Sequence, residues 1–369
     1  MKVLQIIHSL RRGGAERVLL ELSLGLKDLG HEVRVLGLVG VTEYNESPFN
    51  EIPYNFLVKP ENYHWRSGIP ILAKKMRSAV DRFKPDVLQI HTANAAIVAA
   101  CGLLKQPAIQ VFHGYGGLDP PHTFKSWVRR RMERWSFRKL ACRGVVVSHP
   151  MKAAVAAHLG CKEDTLQCIM NGIDLKRFSF IKREPTNRPV ICSVGTLAEH
   201  KRPDEAIRAF AILRERLPGA KLRIVGDGPL RPKLKQLIQG LNLSDAVELL
   251  GRREDIPELL ASSHLLWHLS QSEGLPLVIA EAMATGLPVV GTDVRGISEV
   301  VVDGVTGFRV PSGNAAVVKE KSYQLLSDQN LFMSFSNKGR KVVETYFNKE
   351  IMVKLHADLL LEVAEKKNL

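Results

Sequence analysis

Two glutamates lie eight positions apart in the stretch SEGLPLVIAE, at Glu273 and Glu281. Gly274 permits close approach of the backbone to a ligand, and Leu275 leads into Pro276, which suits the first turn of a helix. The free N–H groups of such a helix can bind phosphate. Glu281 would lie roughly 7–8 Å along the helix axis, so one carboxylate can reach a sugar hydroxyl and the other a ribose diol. Two solvated surface glutamates are the alternative, which the apolar stretch after the turn disfavours.

A lysine follows a glycine turn in the stretch GTLAEHK, which runs from Gly195 to Lys201. Its ammonium group can neutralise a diphosphate leaving group. A further glycine loop, GDGP, begins at Gly226 after a predicted strand. The sequence has no Asp-x-Asp motif for a metal-bridged diphosphate. It therefore predicts a site without a metal ion, which uses Lys201 and helix dipoles.

The first half of the chain offers a glycine pair and a histidine. Gly13 and Gly14 lie between a predicted strand and a helix, where backbone N–H groups favour an anion, although a plain tight turn is the alternative. The pattern is not GxGxxG, so the nicotinamide fingerprint is missing. His113 ends a predicted strand, where its ring can donate a hydrogen bond to a sugar or phosphate oxygen, or act as an acid or base. A purely structural histidine is the equally good alternative.

Two other patterns favour structural over chemical roles. The Asn-Gly turn in NGID at residues 171–174 could touch a ligand, but it favours a simple reversal of the chain. His264 and His268 have the i,i+4 spacing of helical metal ligands. The stretch HLLWHLS around them predicts a strand and offers no third ligand nearby, so we expect no metal site there.

Apolar runs alternate with amphipathic stretches, which is typical of a parallel sheet covered on both faces. The pattern restarts after a polar, proline-containing linker at residues 179–189, and a long amphipathic helix at 349–366 has no strand after it. At roughly 100–200 residues per domain, 369 residues suffice for two domains. We predict an α/β protein with two doubly wound domains at 1–180 and 181–348, followed by a segment at 349–369.

The predicted elements place most candidate side chains after a strand. In open parallel sheets, ligands bind beyond the carboxyl ends of the strands. Strands are predicted at residues 3–7, 33–39, 87–91, 108–113, 144–148, 190–195, 221–226, 246–251, 264–270 and 288–291, and helices at 15–29, 69–83, 94–104, 123–140, 203–217 and 230–240.

The formal net charge is +14, and it is unevenly distributed. Residues 1–180 contain 26 Lys and Arg against 15 Asp and Glu, whereas the remainder contains 26 against 23. The first half should therefore face nucleic acid, anionic lipid or a phosphorylated substrate. No recognition motif accompanies the charge, which disfavours nucleic acid. The five cysteines lack CxxC spacing, which favours reduced thiols in a cytosolic protein.

The stretch Phe124–Arg143 contains Trp127 and Trp135 among eight Lys and Arg residues. Basic amphipathic helices of this kind lie on anionic membranes. A helix with one solvated basic face is the equally good alternative. The N-terminal MKVLQIIHSL predicts a first strand, and no stretch reaches the roughly 18 apolar residues that span a bilayer. Membrane contact would therefore be peripheral.

From Ser272 onward, the stretch SEGLPLVIAEAMATGLPVVGTDVRGISEVVVDGVTGFRV is similar to the signature of the retaining glycosyltransferases of family 4. GGAERVLLELSLGLKDLGHEV, His113-Gly114, NGID and VGDGPL also occur in that family's order, so the resemblance spans nearly the whole chain. It implies a GT-B fold, in which two Rossmann-like domains face each other across a cleft. The final helix would cross back onto the first domain.

The resemblance also implies sugar transfer with retention at the anomeric carbon, from a nucleoside diphosphate sugar, with UDP as the favoured nucleotide. The donor would lie mainly on the second domain and the acceptor on the first. By position, Glu273 would contact the donor sugar, Glu281 the ribose, Lys201 the diphosphate and His113 the sugar near the reacting carbon, while Gly13 and Gly14 would lie against the phosphates or the acceptor.

The chain departs from the family pattern at three positions. Thr196 stands where the family usually has an arginine, and Arg202 stands where it has a glycine. A common Gly-Gly pair is here Arg295-Gly296. Charge near the diphosphate could therefore come from Arg202.

The sequence as a whole predicts a cytoplasmic glycosyltransferase, peripheral at the inner face of the membrane, that needs no cofactor. The resemblance favours bacterial lipopolysaccharide or capsular and exopolysaccharide assembly, with a nucleotide sugar as donor and a glycan or lipid-linked acceptor. Two alternatives stay open. One is a nucleotide-sugar epimerase on the same fold, and the other is a non-catalytic nucleotide-sugar-binding subunit.

Overall fold

The apolar runs of the sequence form two parallel β-sheets in the computed structural model. The structure describes residues 1–11, 13–43, 51–63, 65–115, 118, 123–140 and 143–365, so the sequence patterns at Arg12, Cys142 and residue 366 lie outside it. One compact unit, here the first unit, comprises Met1–Gly172 and Lys349–Leu369, and the second unit comprises Ile173–Asn348.

The first unit contains a seven-stranded sheet in the order β3-β2-β1-β4-β5-β6-β7. Its central strands are mostly buried because helices cover both faces of the sheet, which explains their largely apolar sequences. The elements are β1 Lys2–Ile7, α1 Gly14–Asp28, β2 Glu32–Val39, β3 Tyr54–Val58, α2 Trp65–Phe83, β4 Val87–Ile90, α3 Ala93–Cys101, β5 Ala108–Phe112, α4 Phe124–Lys139, β6 Arg143–Val146, α5 His149–Leu159 and β7 Leu166–Cys168.

The second unit contains a six-stranded parallel sheet in the order β10-β9-β8-β11-β12-β13. Trp267, Phe210 and Phe335 belong to its buried core. The elements are β8 Val190–Val194, α6 Pro203–Arg216, β9 Lys221–Val225, α7 Arg231–Gly240, β10 Val247–Gly251, α8 Ile256–Ala261, β11 Leu265–His268, α9 Leu277–Ala284, β12 Val289–Thr292, β13 Gly307–Val310, α10 Ala315–Ser327 and α11 Gln329–Tyr346.

The last helix, α12, spans Lys349–Glu365 and belongs to the first unit. It packs against α1, where Gly25 leaves space for the side chain of Val353. Lys349 Nζ also lies 3.3 Å from a carboxylate oxygen of Glu21 on α1. The expected return of the final helix to the first domain is confirmed.

Both sheets have the doubly wound order, in which the strand sequence reverses beside the first strand. The reversal lies between β1 and β4 in the first unit and between β8 and β11 in the second. At such a switch point the loops leave in opposite directions and open a crevice beyond the carboxyl ends of the strands. The α/β fold class is confirmed, and each unit therefore has one place where a ligand site is expected.

The boundary between the units differs from the sequence prediction. We predicted it after residue 180, within the proline-containing linker, whereas the units divide between Gly172 and Ile173. The linker packs on the second unit because the Arg183 guanidinium donates to the carbonyl oxygens of Leu260, Ala261 and Thr285. Burial lowers the pKa of Arg183 to about 10.

Several elements were not predicted from the sequence. Strands β3 and β7 lie at the two edges of the first sheet, and β13 lies at one edge of the second. Edge strands lose the continuous apolar signature because fewer neighbours cover them. Helix α5 has a weak amphipathic pattern because its alanines place small side chains on every face. Within the described part of the chain, no helix is both long and apolar enough to cross a bilayer.

Candidate active site

The loops at the switch point of the second unit bring a lysine, a glutamate and a histidine together. Lys201 ends a short 3₁₀ turn in the loop after β8, His268 is the last residue of β11, and Glu273 lies five residues further on. The Gln271 N–H donates to the His200 carbonyl at 2.8 Å, which ties the two loops to each other. The strand order therefore assembles groups that are 72 residues apart in the sequence.

The Glu273 carboxylate is the centre of this cluster. Lys201 Nζ donates to its Oε1 at 2.6 Å and to its Oε2 at 2.8 Å. His268 Nε2 donates to the same Oε1 at 2.6 Å. The side chain of Glu273 is 9% exposed, and that of Lys201 is 23% exposed. A small pocket lies beside the cluster and is lined by Gly195, Thr196, Lys201, His268 and Ser270.

The cluster keeps Glu273 ionised. Burial alone would raise the pKa of this carboxyl group, but the hydrogen bonds and charges of His268 and Lys201 outweigh burial and lower it to about 2. An ionised carboxylate can accept hydrogen bonds from hydroxyl groups, and the ammonium group beside it can bind a phosphate oxygen. The arrangement is thus suited to a ligand that carries both hydroxyl and phosphate groups.

Two glycines allow the surrounding loops to approach one another. Gly226 has φ +131°, and a Cβ there would overlap the carbonyl oxygen of Gly195. Gly296 has φ +85°, and a Cβ there would overlap the carbonyl oxygen of Gly274. Both positions therefore require glycine for conformation and for space. Gly296 thus lies directly against the backbone of Glu273 and Gly274. It is the second residue of the family's Gly-Gly pair, whose first position is Arg295 in this chain.

Helix α9 begins one residue later than expected. Pro276 is its N-cap, with φ −76° and ψ 98°, and the helix starts at Leu277. Gly274 and Leu275 lie in the preceding loop, and Leu275 is buried. Glu281 lies within α9 and is 3% exposed, so it is not a solvated surface glutamate.

Arg202 lies beside carboxylates of its own helix. It has φ +50° at the N-cap of α6. Its guanidinium is 3.9 Å from Asp204 Oδ1 and 3.5 Å from Glu205 Oε2. The residue in the glycine position of the family pattern thus takes up the left-handed conformation that favours glycine, and its charge faces two acidic side chains.

In the first unit, the predicted glycines lie at the switch point, and His113 lies one strand away from it. Gly13 is the N-cap of α1, Gly14 begins that helix, and both are exposed. His113 follows β5 directly, and its Nε2 is 2.9 Å from Nδ1 of His91. His91 follows β4 and is 3% exposed. In the NGID turn, the Asp174 carboxylate accepts from the backbone N–H groups of residues 176 and 177, which is a turn-forming role.

Sequence reasoning missed His268 and His91 as members of these sites. It considered His268 only as a metal ligand and did not single out His91. His268 is the last residue of β11 and His91 directly follows β4, so both lie at the carboxyl edge of a sheet, and this position was the available signal. His264, by contrast, accepts the Val190 N–H at 3.2 Å through Nδ1 and lies at the start of β11, away from Glu273.

Comparisons with known proteins agree with this architecture. The model described as Glycosyltransferase Family 4 matches residues 12–177, and the model described as Glycosyl transferases group 1 matches residues 174–342. The chain is 32% identical to the amylovoran biosynthesis glycosyltransferase AmsK of Erwinia amylovora, over 76% of this chain and 71% of that protein. It is 28% identical to N-acetyl-alpha-D-glucosaminyl L-malate synthase of Bacillus anthracis, over 95% and 94%.

A solved structure shares the fold. HepE of Anabaena, crystallised in complex with UDP-glucose, superposes with a TM-score of 0.83 at 22% identity, over 98% of this chain and all of that one. The resemblance noted from the sequence is confirmed by the two family models and the relatives, and the GT-B fold by this structure. The chain belongs to the glycosyltransferases of family 4, group 1.

Proposed function

We propose that this glycosyltransferase moves a sugar from a nucleoside diphosphate sugar to a hydroxyl group of a glycan or glycolipid, with retention at the anomeric carbon. The observation that carries the proposal is the cluster of Lys201, His268 and ionised Glu273 at the switch point of the second unit. It combines a phosphate-binding cation with a hydroxyl-binding carboxylate in one small region. The family resemblance supports a role in bacterial lipopolysaccharide or exopolysaccharide assembly.

The donor is proposed to bind the second unit. Lys201 would bind the diphosphate, Glu273 a hydroxyl of the donor sugar, and Glu281 the ribose. The N–H groups at the start of α9 and the loop at Gly195 would add hydrogen bonds to phosphate. HepE of Anabaena, which shares the fold, was crystallised with UDP-glucose, and this supports UDP as the nucleotide.

The first unit is proposed to bind the acceptor. Its exposed N-terminus of α1 at Gly13 and Gly14 would attract an anionic group, and its net charge favours a phosphorylated or lipid-linked acceptor. The name of the Bacillus anthracis relative specifies L-malate, so small hydroxy acids belong in the acceptor panel beside glycans.

Incubation of the purified protein with a panel of nucleotide sugars, with and without acceptors, tests the proposal. We expect a UDP-sugar to raise the melting temperature, because a ligand that binds only the folded state stabilises it. Mass spectrometry should then show an acceptor-dependent product, and NMR of that product should show the retained anomeric configuration. Free epimerised sugar without acceptor would favour an epimerase, and donor binding without any product would favour a binding subunit.

The substitution Lys201→Ala tests whether Lys201 binds the diphosphate of the donor. The variant should weaken UDP binding at least about tenfold, the effect of roughly 1.4 kcal/mol in binding free energy, while uridine binding changes much less. The matched control is Lys221→Ala, since Lys221 is exposed at the opposite, amino-terminal end of β9. Calorimetric titration with both ligands measures the difference. An equal loss for UDP and uridine would show that Lys201 does not bind phosphate.

We also propose that α4 docks the protein on anionic membrane at the inner face of the cell membrane. Phe124, Trp127 and Trp135 are 79%, 46% and 44% exposed, and they form one stripe of the helix together with Arg131. The Arg131 guanidinium lies 5.0 Å from the centre of a Trp127 ring, so cation and aromatic share that face. Tryptophan and basic side chains suit the interfacial zone of a bilayer.

Three other arginines of α4 have a structural role instead. Arg130 and Arg134 donate to the carbonyl oxygens of residues 157 and 158, and Arg138 donates to that of Gly160. These carbonyls end α5, where the helix dipole favours cations. Part of the positive charge of α4 therefore holds this helix on α5, and the proposed docking surface rests on Arg131 and the exposed aromatic side chains.

Co-sedimentation with liposomes tests the docking surface. Wild-type protein should sediment with phosphatidylglycerol-containing vesicles at low salt, and not with neutral vesicles or at high salt. The combined substitution Trp127→Ser, Arg131→Glu and Trp135→Ser should abolish sedimentation. Lys235→Glu, an equal charge change at an exposed residue of α7, should leave it intact. Unchanged sedimentation of the triple variant would refute the role of α4.

A further inference from the structure

Five polar side chains form a continuous hydrogen-bonded chain inside the first unit. Gln5 and Gln89 are register partners on the adjacent strands β1 and β4. The contacts are His113 Nε2 to His91 Nδ1 at 2.9 Å, His91 Nε2 to Gln5 Oε1 at 2.6 Å, Gln5 Nε2 to Gln89 Oε1 at 3.0 Å and Gln89 Nε2 to His356 Nδ1 at 2.8 Å. Buried polar groups lower stability unless they are hydrogen-bonded to one another, and a continuous network of them is consistent with a functional role.

The amide groups give the chain one direction. The Gln5 Oε1 atom can only accept, so His91 must carry its proton on Nε2 and donate it to Gln5. A neutral imidazole with a proton on Nε2 has a bare Nδ1, which can only accept. His113 must therefore carry its own proton on Nε2 and donate it to His91.

The other end of the chain holds the amides in this orientation. Gln89 Nε2 donates to Nδ1 of His356, which lies on α12. In this orientation the Gln89 Oε1 atom accepts from Gln5 Nε2. The Gln5 amide is thereby oriented with its Oε1 atom toward His91. The C-terminal helix thus supplies the group that terminates the chain.

The consequence falls on the second ring nitrogen of His113, Nδ1. Its Nδ1 atom is buried and has no hydrogen-bond partner among the described residues. Burial lowers the pKa of His113 to about 4, so the ring is neutral near pH 7. A neutral ring with its Nε2 proton already committed offers a single acceptor, and it is unsuited to act as an acid.

We propose that Gln5 and His91 are positioning residues that hold His113 in its Nε2-protonated form, so that Nδ1 accepts a hydrogen bond from a substrate hydroxyl group. The tautomer assignment rests on the hydrogen-bond chain and on the neutral state of buried His91, whose pKa burial lowers well below 6.5, and the substrate hydroxyl rests on the proposed sugar transfer. From the sequence, His113 could donate a hydrogen bond or act as an acid or a base. The hydrogen-bonded chain favours a role in which its Nδ1 atom accepts a hydrogen bond.

The direct test is the tautomer of His113 in the unmodified protein. Two-bond ¹H–¹⁵N spectra of ¹⁵N-histidine-labelled protein distinguish protonated from bare ring nitrogens, and the loss of one signal set in His113→Gln assigns the resonances. We expect Nε2 of His113 to be protonated and Nδ1 to be bare. A proton on Nδ1 would mean that the whole chain runs in the opposite direction, and it would overturn the inference. This measurement requires neither substrate nor a folded sheet variant.

A matched pair of variants tests the positioning role. Gln5→Leu removes the acceptor of His91, so His113 should become a mixture of both tautomers, and kcat/KM for transfer should fall about tenfold while UDP affinity stays within about twofold. The control is Gln110→Leu, since Gln110 is buried on neighbouring β5, its Oε1 has no partner among the described residues, and it stands outside the chain. It should keep both the tautomer and kcat/KM.

The outcomes separate this inference from the proposed function. An unchanged His113 spectrum in Gln5→Leu would show that the chain does not set the tautomer. An altered tautomer with unchanged kcat/KM would show that His113 does not need its Nδ1 acceptor for transfer, which also contradicts the inference. If the unmodified protein transfers no sugar at all but His113 has the expected tautomer, sugar transfer fails and the tautomer assignment stands.

Discussion

Replacement of Glu273 by alanine is expected to lower sugar transfer at least about tenfold, some 1.4 kcal/mol of activation free energy. The variant removes the carboxylate that both Lys201 and His268 contact. It would also leave an ammonium group without its partner in a partly buried position, which disturbs the geometry of the diphosphate site. We therefore expect kcat to fall and the KM for the donor to rise.

Steady-state kinetics with purified protein measure the effect, and thermal unfolding shows whether the variant is folded. Glu273→Gln keeps the shape and one acceptor oxygen without the charge, so its loss should be smaller than that of alanine. Glu258→Ala, at an exposed residue on α8, is the matched control and should keep wild-type activity. Near-normal turnover of folded Glu273→Ala would refute its role.

The free energy of unfolding of the first unit is expected to decrease steeply as the pH is lowered from about 6.5 into mildly acidic solution. Burial, followed by the charge of neighbouring histidines, lowers the pKa of His91 well below the usual 6.5 and that of His356 to about 3. Burial lowers that of His113 to about 4. These rings stay neutral in the folded chain and bind protons in the unfolded chain. Their stabilising contribution is complete above pH 6.5 and is lost as the pH falls from there toward 4.

The expected slope follows from proton linkage. Each additional proton bound by the unfolded state costs about 1.4 kcal/mol per pH unit, so three buried histidines approach about 4 kcal/mol per pH unit between pH 6 and pH 5. Burial also lowers the pKa of His8 and His31 in the same unit, which adds in the same direction. The shift of Glu273 to about 2 acts only below its ordinary pKa of 4.5, outside this window.

Hydrogen–deuterium exchange of peptides from β1, β4 and β5, corrected for the intrinsic effect of pH on exchange, reports on the first unit alone. His356→Gln keeps an acceptor for Gln89 and removes one titrating ring, so it should lower the slope by about a third. His149→Gln, at an exposed position, should leave the slope unchanged. Equal protection of these strands at pH 7 and pH 5 would contradict the prediction.

The sequence alone determined the order of elements and the loops that carry the site. Parallel strands covered on both faces are largely apolar, so every strand except β3, β7 and β13 could be recognised without a structure. Glycines that require a positive φ or a close approach, such as Gly226, also leave a local signal. The roles assigned to Glu273, Lys201 and His113 stay predictions, because their placement in the structure does not measure catalysis.

Only the tertiary structure decided which of these groups meet. The contact of Lys201 with Glu273 depends on β8 and β11 being neighbours, and no local pattern states that pairing. The link from His113 to His356 joins three strands and a helix that are far apart in the sequence. Edge strands such as β3, and the division of the α4 arginines between α5 and solvent, depend likewise on what packs beside them. The local sequence indicates whether a residue is buried, whereas its contact partners depend on the spatial order of the strands in the sheet.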